Sequence, residues 1–233
     1  HRHDPNDPNS LSDNSVWAIH EDHQGILWVG TDSKGLNSFD PGTGAFTRYT
    51  TFTGEPLDRG SKFIYAITEC REGCLWVATY GGGLYRLDPE RKRFTRYFPD
   101  ASLKHSLSGA MTCELYEDSQ GALWIGTWGN GVNRLDKGAS KFRHYQHNPR
   151  DDSSLSANPT WKIVEDKAGF MWVNTISRGL NRFDPATGTF TRYRHDPENP
   201  NSLSSDIAFA LYEDSRGVIW VGTQNGLNRR EAT

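Results

Sequence analysis

The sequence predicts an all-β protein built from five copies of one unit, on three observations. Trp28, Trp76, Trp124, Trp172 and Trp220 fall 48 residues apart. Glu21, Glu69, Glu117, Glu165 and Glu213 keep that interval, as do Gly25, Gly73, Gly121, Gly169 and Gly217. Each unit also divides into short β-rich runs separated by turn residues, with no segment of useful helical period. A fixed interval of this length means supersecondary units that stack side by side.

The first copy shows the elements in order. Residues 15–20 (Ser-Val-Trp-Ala-Ile-His) read as a strand, and Glu-Asp-His-Gln-Gly as the turn after it. Residues 26–30 (Ile-Leu-Trp-Val-Gly) are a second strand and 31–35 a loop. Residues 36–39 are a third strand, and Asp-Pro-Gly-Thr-Gly at 40–44 has turn composition. Residues 46–49 (Phe-Thr-Arg-Tyr) alternate apolar and polar, as a half-exposed strand does. A long Asp/Asn/Pro/Ser linker leads on, as at 195–203. Four short antiparallel strands in a unit of 40–50 residues describe a β-propeller blade. The repeated tryptophans then fill the wedge between neighbouring sheets as core, not as a binding platform. The reading is a single propeller domain over 1–233, with repeats near 1–50, 51–98, 99–146, 147–194 and 195–233. It favours a five-bladed ring whose last blade is incomplete, because Phe-Thr-Arg-Tyr-like runs occur four times and strands one to three five times. A segment of a longer propeller is the alternative, and the incomplete blade edges then offer self-association.

Composition narrows the function. The chain has 26 Lys and Arg against 29 Asp and Glu, a net charge of -3, without blocks of like charge. That gives no nucleic-acid footprint. No run of 18 apolar residues offers a membrane span, and no signal peptide is visible. Aromatics make up 12% of the residues, a supply suited to an aromatic core. Of the three cysteines, Cys70 and Cys74 flank a three-residue turn and could face each other across it; two unpaired thiols are the simpler reading. No second pair exists for a four-cysteine zinc site. No Gly-x-Ser-x-Gly, His-Glu-x-x-His or phosphate-cradling loop is present, so no catalytic residue, cofactor or metal is expected.

The runs Asn-Ser-Leu-Ser, Val-Trp-Ala-Ile-His-Glu-Asp, Gly-Ile-Leu-Trp-Val-Gly-Thr and Gly-Leu-Asn resemble the two-component regulator propeller repeat. The likeness is clearest at 123–127 with Gly131 and at 219–223 with Gly226. It implies a periplasmic or extracellular sensor portion of the kind found in hybrid histidine kinases, a ligand-binding role and no catalytic domain in this segment. The alternatives are a structural or engineered repeat scaffold, favoured by the even spacing, and a propeller-based lyase or hydrolase.

Candidate sites follow from where the copies differ, since variable loops on a constant scaffold carry binding. The loop between strands two and three reads Asp32, Tyr80, Trp128, Ile176 and Gln224 at one position, and Lys34, Gly82, Asn130, Arg178 and Asn225 at another. Tyr80 and Trp128, beside glycines, are candidates to stack on a small molecule or oligosaccharide. Lys34, Arg178, Asn130 and Gln224 are candidates to orient its polar groups. Four dull readings stand beside these. Trp17, Tyr65, Cys113, Trp161 and Phe209 fill space between blades. The repeated glutamates accept backbone N–H bonds at their own turns. Arg48, Arg96 and Arg192 form a solvated edge, and His3, His147 and His195 bond within their linkers.

Overall fold

In the computed structural model, which describes residues 1–54 and 56–231, the predicted strands appear in every copy. The first sheet comprises β1 (Val16–Glu21), β2 (Leu27–Thr31), β3 (Leu36–Asp40) and β4 (Ala45–Tyr49). A four-residue helix, α1 (Arg59–Lys62), precedes the second sheet, and its Asp58 cap accepts from Ser61 N–H. The second sheet comprises β5 (Ile64–Glu69), β6 (Leu75–Thr79), β7 (Leu84–Leu87) and β8 (Phe94–Tyr97). Next come β9 (Thr112–Glu117), β10 (Leu123–Thr127), β11 (Val132–Leu135) and β12 (Phe142–Tyr145). The fourth sheet is β13 (Thr160–Glu165), β14 (Met171–Thr175), β15 (Leu180–Asp184) and β16 (Thr189–Tyr193). The last has only β17 (Ala208–Glu213), β18 (Ile219–Thr223) and β19 (Gly226–Arg230). Strands pair in chain order within each sheet, four sheets of four and one of three. The helix α1 is the one element the periodicity does not show. The chain falls into two compact units, His1–Leu115 and Tyr116–Thr233.

Successive blades bury complementary faces. In the first unit, Trp28 and Leu36 of one sheet pack with Ile67, Leu75, Val77 and Leu87 of the next. In the second unit, Trp124 and Val132 meet Ile163, Met171, Val173 and Phe183, and Trp172 and Leu180 meet Leu211, Ile219 and Val221. The first four repeated indoles are buried, and Trp220 is half-buried. In each complete blade the closing tyrosine of strand four lies against that indole, at 5.4 to 5.5 Å between ring centroids for Trp28–Tyr49, Trp76–Tyr97, Trp124–Tyr145 and Trp172–Tyr193.

In four of the five copies an aspartate six residues before the repeated tryptophan holds the wedge in place. Asp22 accepts the indole N–H of Trp28 at 2.8 Å on one oxygen, and the N–H groups of Gln24 and Ile26 on the other. Asp118, Asp166 and Asp214 do the same for Trp124, Trp172 and Trp220. One carboxylate therefore closes the first turn and satisfies a buried donor that would otherwise cost about 1–3 kcal/mol. In the second copy this position is Cys70, and the expectation of two free thiols is corrected there. Cys70 and Cys74 form a disulfide with Cα atoms 5.2 Å apart. Cys74 N–H points to Cys70 Sγ at 3.0 Å, where Ile26 N–H reaches Asp22. A covalent clamp replaces the carboxylate at the same turn.

Two other expectations are corrected. Glu69, Glu165 and Glu213 bond the turn of the blade before their own. Glu69 accepts from His23 N–H and lies 2.8 Å from its Nδ1; Glu165 accepts from Ser119 N–H, and Glu213 from Lys167 N–H. Each donor lies in the preceding blade, so these carboxylates bridge sheets. Nor are Arg48 and Arg192 a merely solvated edge. Each guanidinium donates to the linker before its blade: Arg48 to Ser10 and Asp7 carbonyls, Arg192 to those of Ser154 and Asp151. His3, His147 and His195 bond within their linkers as expected, each through Nδ1 to a leucine carbonyl.

Arg91 adds a charged bridge between the first two blades. It lies 2.9 Å from Asp22 Oδ2 and 2.7 Å from Glu69 Oε1, with its guanidinium over the Trp28 ring. Burial alone would raise the Asp22 carboxyl. The Trp28, Ile26 and Gln24 N–H groups, with Arg91, outweigh burial and hold it below the ordinary range. Burial likewise opposes, and His23 with Arg91 outweighs, the same lowering at Glu69.

Both carboxylates thus have folded-state pKa values below their unfolded ones. Their contribution is present above the unfolded pKa of about 4 and is lost as pH falls through the folded value. Arg91→Ala is expected to cost about 3–5 kcal/mol and to move acid unfolding to higher pH, measured by urea titration between pH 3 and 7. The double substitution Cys70→Asp with Cys74→Ile rebuilds the carboxylate turn. Its melting temperature should not respond to reductant, whereas that of the native chain should fall.

Candidate functional site

The variable loops between strands two and three are rigid at their base. In each copy a threonine hydroxyl donates to a glycine carbonyl across the loop: Thr31 to Gly35, Thr79 to Gly83, Thr127 to Gly131, Thr175 to Gly179, Thr223 to Gly226. Gly83 has φ +84° and Gly131 +74°, and a Cβ on either would run into the carbonyl of Tyr97 or Tyr145. Only glycine permits that approach. The residue after the threonine is fixed too. Asp32, Tyr80, Ile176 and Gln224 donate their N–H to the carbonyls of Ser15, Phe63, Pro159 and Ile207. That bond places the variable side chain beside the start of its own blade's first strand.

In the first unit this brings rings together. Tyr80 lies 5.5 Å from Phe63 and 5.7 Å from Tyr65; Phe63 and Tyr65 stack at 4.5 Å; Trp17 of the preceding blade lies 5.1 Å from Phe63 and 5.8 Å from Tyr65. Four rings form one patch, with Met111 bridged to Tyr80 at its border. Trp17 is 52% exposed and Tyr80 45%, so the patch faces solvent. Trp17 does meet the next blade, as its register suggests, but over half of it stays exposed, and exposed Phe209 departs from the reading of buried filling as well; Cys113 keeps to it and is buried. The helix α1 flanks the patch: a Cβ on Gly60 would lie 2.8 Å from the Gly81 backbone, so helix and loop touch main chain to main chain. The Ser61 bonds hold the Asp58 carboxyl below its ordinary value and so fix the helix start beside Tyr80.

The remaining candidates are placed as follows. Lys34 is exposed on the first blade's loop, where the adjacent Ser33 hydroxyl donates to Asp13 at 2.6 Å. Slight burial would raise Asp13; the bonds from Ser33 and Ser15, with Lys34 nearby, outweigh it and keep that carboxylate charged. In the second unit, Trp128 is half-buried, edge-on to Trp161 at 5.1 Å. Asn130, Arg178 and Gln224 are exposed on successive loops. Phe63, Tyr65 and Trp17 lie outside the variable loop positions that supply the sequence candidates. The signal that could have found them was aromatic character at positions next to Tyr80's own partners.

Repeated four-stranded blades with buried indole wedges define the class: a β-propeller repeat protein. The description "two component regulator propeller" matches residues 10–33, 106–129 and 202–225, and those three segments are similar to that repeat. No curated protein matches it in sequence. Among solved structures it is similar to the extracellular domain of a protein described as a hybrid two component system from B. thetaiotaomicron, at 25% identity and a TM-score of 0.80, covering 96% of this chain and 29% of the other. A second extracellular domain from B. thetaiotaomicron, described as belonging to a one component system, gives 26% and 0.73, covering 95% and 30%. Virginiamycin B lyase from Staphylococcus aureus, at 15% identity and 0.67 over 96% of this chain and 72% of that one, shares the fold. The chain therefore spans less than a third of the length of the first two. Among the described residues no helix is long and apolar enough to cross a membrane.

Proposed function

We propose that the chain is a non-catalytic, extracytoplasmic binding segment of a sensor, and that it captures a small molecule or oligosaccharide on its variable loops. The observation that carries the reading is the solvent-facing ring patch of Trp17, Phe63, Tyr65 and Tyr80. The repeat buries the indoles Trp28, Trp76, Trp124 and Trp172; here flat apolar faces with polar edges are held in the open on a stiff base. Such faces stack on a sugar ring or another planar group, and their rigidity reduces the ordering cost of binding. Trp128 in the second unit is assigned the same stacking role. Lys34 in the first unit, and separately Arg178, Asn130 and Gln224 in the second, are assigned to orient polar or anionic groups at the loops of their own unit. The disulfide of Cys70 and Cys74 accords with an oxidising compartment, as does the likeness to extracellular domains.

The test is a panel of oligosaccharides screened by thermal shift and followed by calorimetry. A member of the panel should bind, and Trp17→Ala with Tyr80→Ala should weaken it about 30-fold or more, in line with roughly 1 kcal/mol per lost ring contact. Both residues are exposed, so the variant should melt close to the native chain. Unchanged affinity in that variant would remove Trp17 and Tyr80 from the site.

A further inference from the structure

The second blade differs from the first and fourth along its outer strand. In those two blades the linker covers strand four: Phe46 N–H donates to Asn9 O at 2.8 Å, and Phe190 N–H to Ser153 O at 2.7 Å. Arg48 and Arg192 close the same seam, each with Nε 2.9 Å from a serine carbonyl, Ser10 or Ser154. The second linker lacks the Ser-Leu-Ser run of residues 10–12 and 154–156. It forms a bridge between Thr51 and Pro56, and the helix α1, instead. Leu57, which stands in the register of Asn9 and Ser153, is buried and donates its N–H to Thr50 O. Arg96 is drawn off as well. Its Nε donates to Gly82 O at 2.8 Å, and its guanidinium lies over the Tyr85 and Phe98 rings.

The seam left along β8 is a groove of about 470 Å³ between linker residues 52–54 and residues 92–96. Phe52, stacked on Phe94 at 4.3 Å, gives it a fixed apolar wall. Main-chain groups of an antiparallel strand point alternately to either side. Asp88 N–H donates to Arg93 O, and Thr95 lies opposite Arg86, so the N–H and C=O of Phe94 and Arg96 face away from β7. Among the described residues those groups have no hydrogen-bond partner, unlike the N–H of Phe46 or Phe190. Lys92 and Arg93 are exposed and, among the described residues, make no ion pair. Asp88 accepts from Lys92 N–H, and Asp58 lies 3.7 Å from Arg96; neither carboxylate lines the groove.

We infer that this groove is a docking site for an extended acidic peptide segment, which adds to the outer edge of β8 as the linkers do in the first and fourth blades. Main-chain pairing with Phe94 and Arg96 supplies affinity. Carboxylates of the segment meet Lys92 and Arg93 and set the sign of the partner. The open row of N–H and C=O groups selects a polypeptide over other polyanions, because an extended main chain answers both in register. The groove lies on a complete blade and does not draw on the ring patch around Tyr80.

The probe is the synthetic peptide acetyl-Glu-Thr-Val-Glu-Val-Thr-Glu-amide. Calorimetry should give saturable one-to-one binding, with the largest amide shifts in NMR at Phe94 and Arg96. Lys92→Glu with Arg93→Glu should weaken binding about tenfold or more at low salt, since two exposed attractions become repulsions. Both side chains are exposed, so an unchanged melting temperature certifies the fold of that variant. Two further peptides carry N-methyl groups at alternate residues, in opposite phase. One should bind about tenfold or more weakly than the other, because only one set of N–H groups faces β8. Equal binding by the two phases, or by the charge-reversed variant, would overturn the assignment. So would a lack of saturation at millimolar peptide, which would leave Lys92 and Arg93 as guards against strand addition. Displacement of the peptide by an equal concentration of a sulfated oligosaccharide would overturn it in favour of a glycan.

Discussion

The structure depends on how the indoles of Trp28, Trp124 and Trp172 are buried without leaving their N–H groups unpaired. A tryptophan is large enough to fill the wedge between two sheets that splay apart, but it takes a donor into the interior. The aspartate six residues earlier supplies the acceptor, as Asp22 does for Trp28. The same group accepts the N–H bonds of the tight turn. Turn geometry, strand register and inter-blade packing are therefore fixed by one carboxylate per blade. Where that carboxylate is absent, the disulfide of Cys70 and Cys74 constrains the turn instead.

Bridges between blades form a second layer. Glu69, Glu165 and Glu213 each reach back to a turn N–H one blade earlier, and Arg91 ties Asp22 to Glu69. Large indoles and short carboxylates thus alternate from core to surface. A scaffold held this way leaves the loops between strands two and three free to vary. Their threonine and glycine bases stay constant while Tyr80, Trp128, Ile176 and Gln224 change the chemistry presented.

Much of the fold was legible because a period is a strong signal. The tryptophan register located every blade, and the strands lie within about a residue of where alternation put them. What escaped was partnership. Glu21 and Asp22 are neighbours, repeated in five copies and in four, and only coordinates tell which register faces inward to the indole and which reaches the neighbouring blade. The disulfide was hidden for the same reason: Cys70 stands in the register of Asp22, Asp118, Asp166 and Asp214, an exchange that means little until the role of the aspartate is known. At the site, Tyr80 was found from loop variation. Trp17 was missed because its register matches buried Cys113, and exposure depends on what packs above a residue, which a repeat does not encode.

Hydrogen exchange at the indole nitrogens, followed by NMR, probes the central claim most directly. The N–H groups of Trp28, Trp124 and Trp172 should exchange as slowly as core amides, while that of Trp17 exchanges at close to the solvent rate. Fast exchange at all of them would mean that the carboxylate clamp does not hold the wedges, and the account would fail at its base.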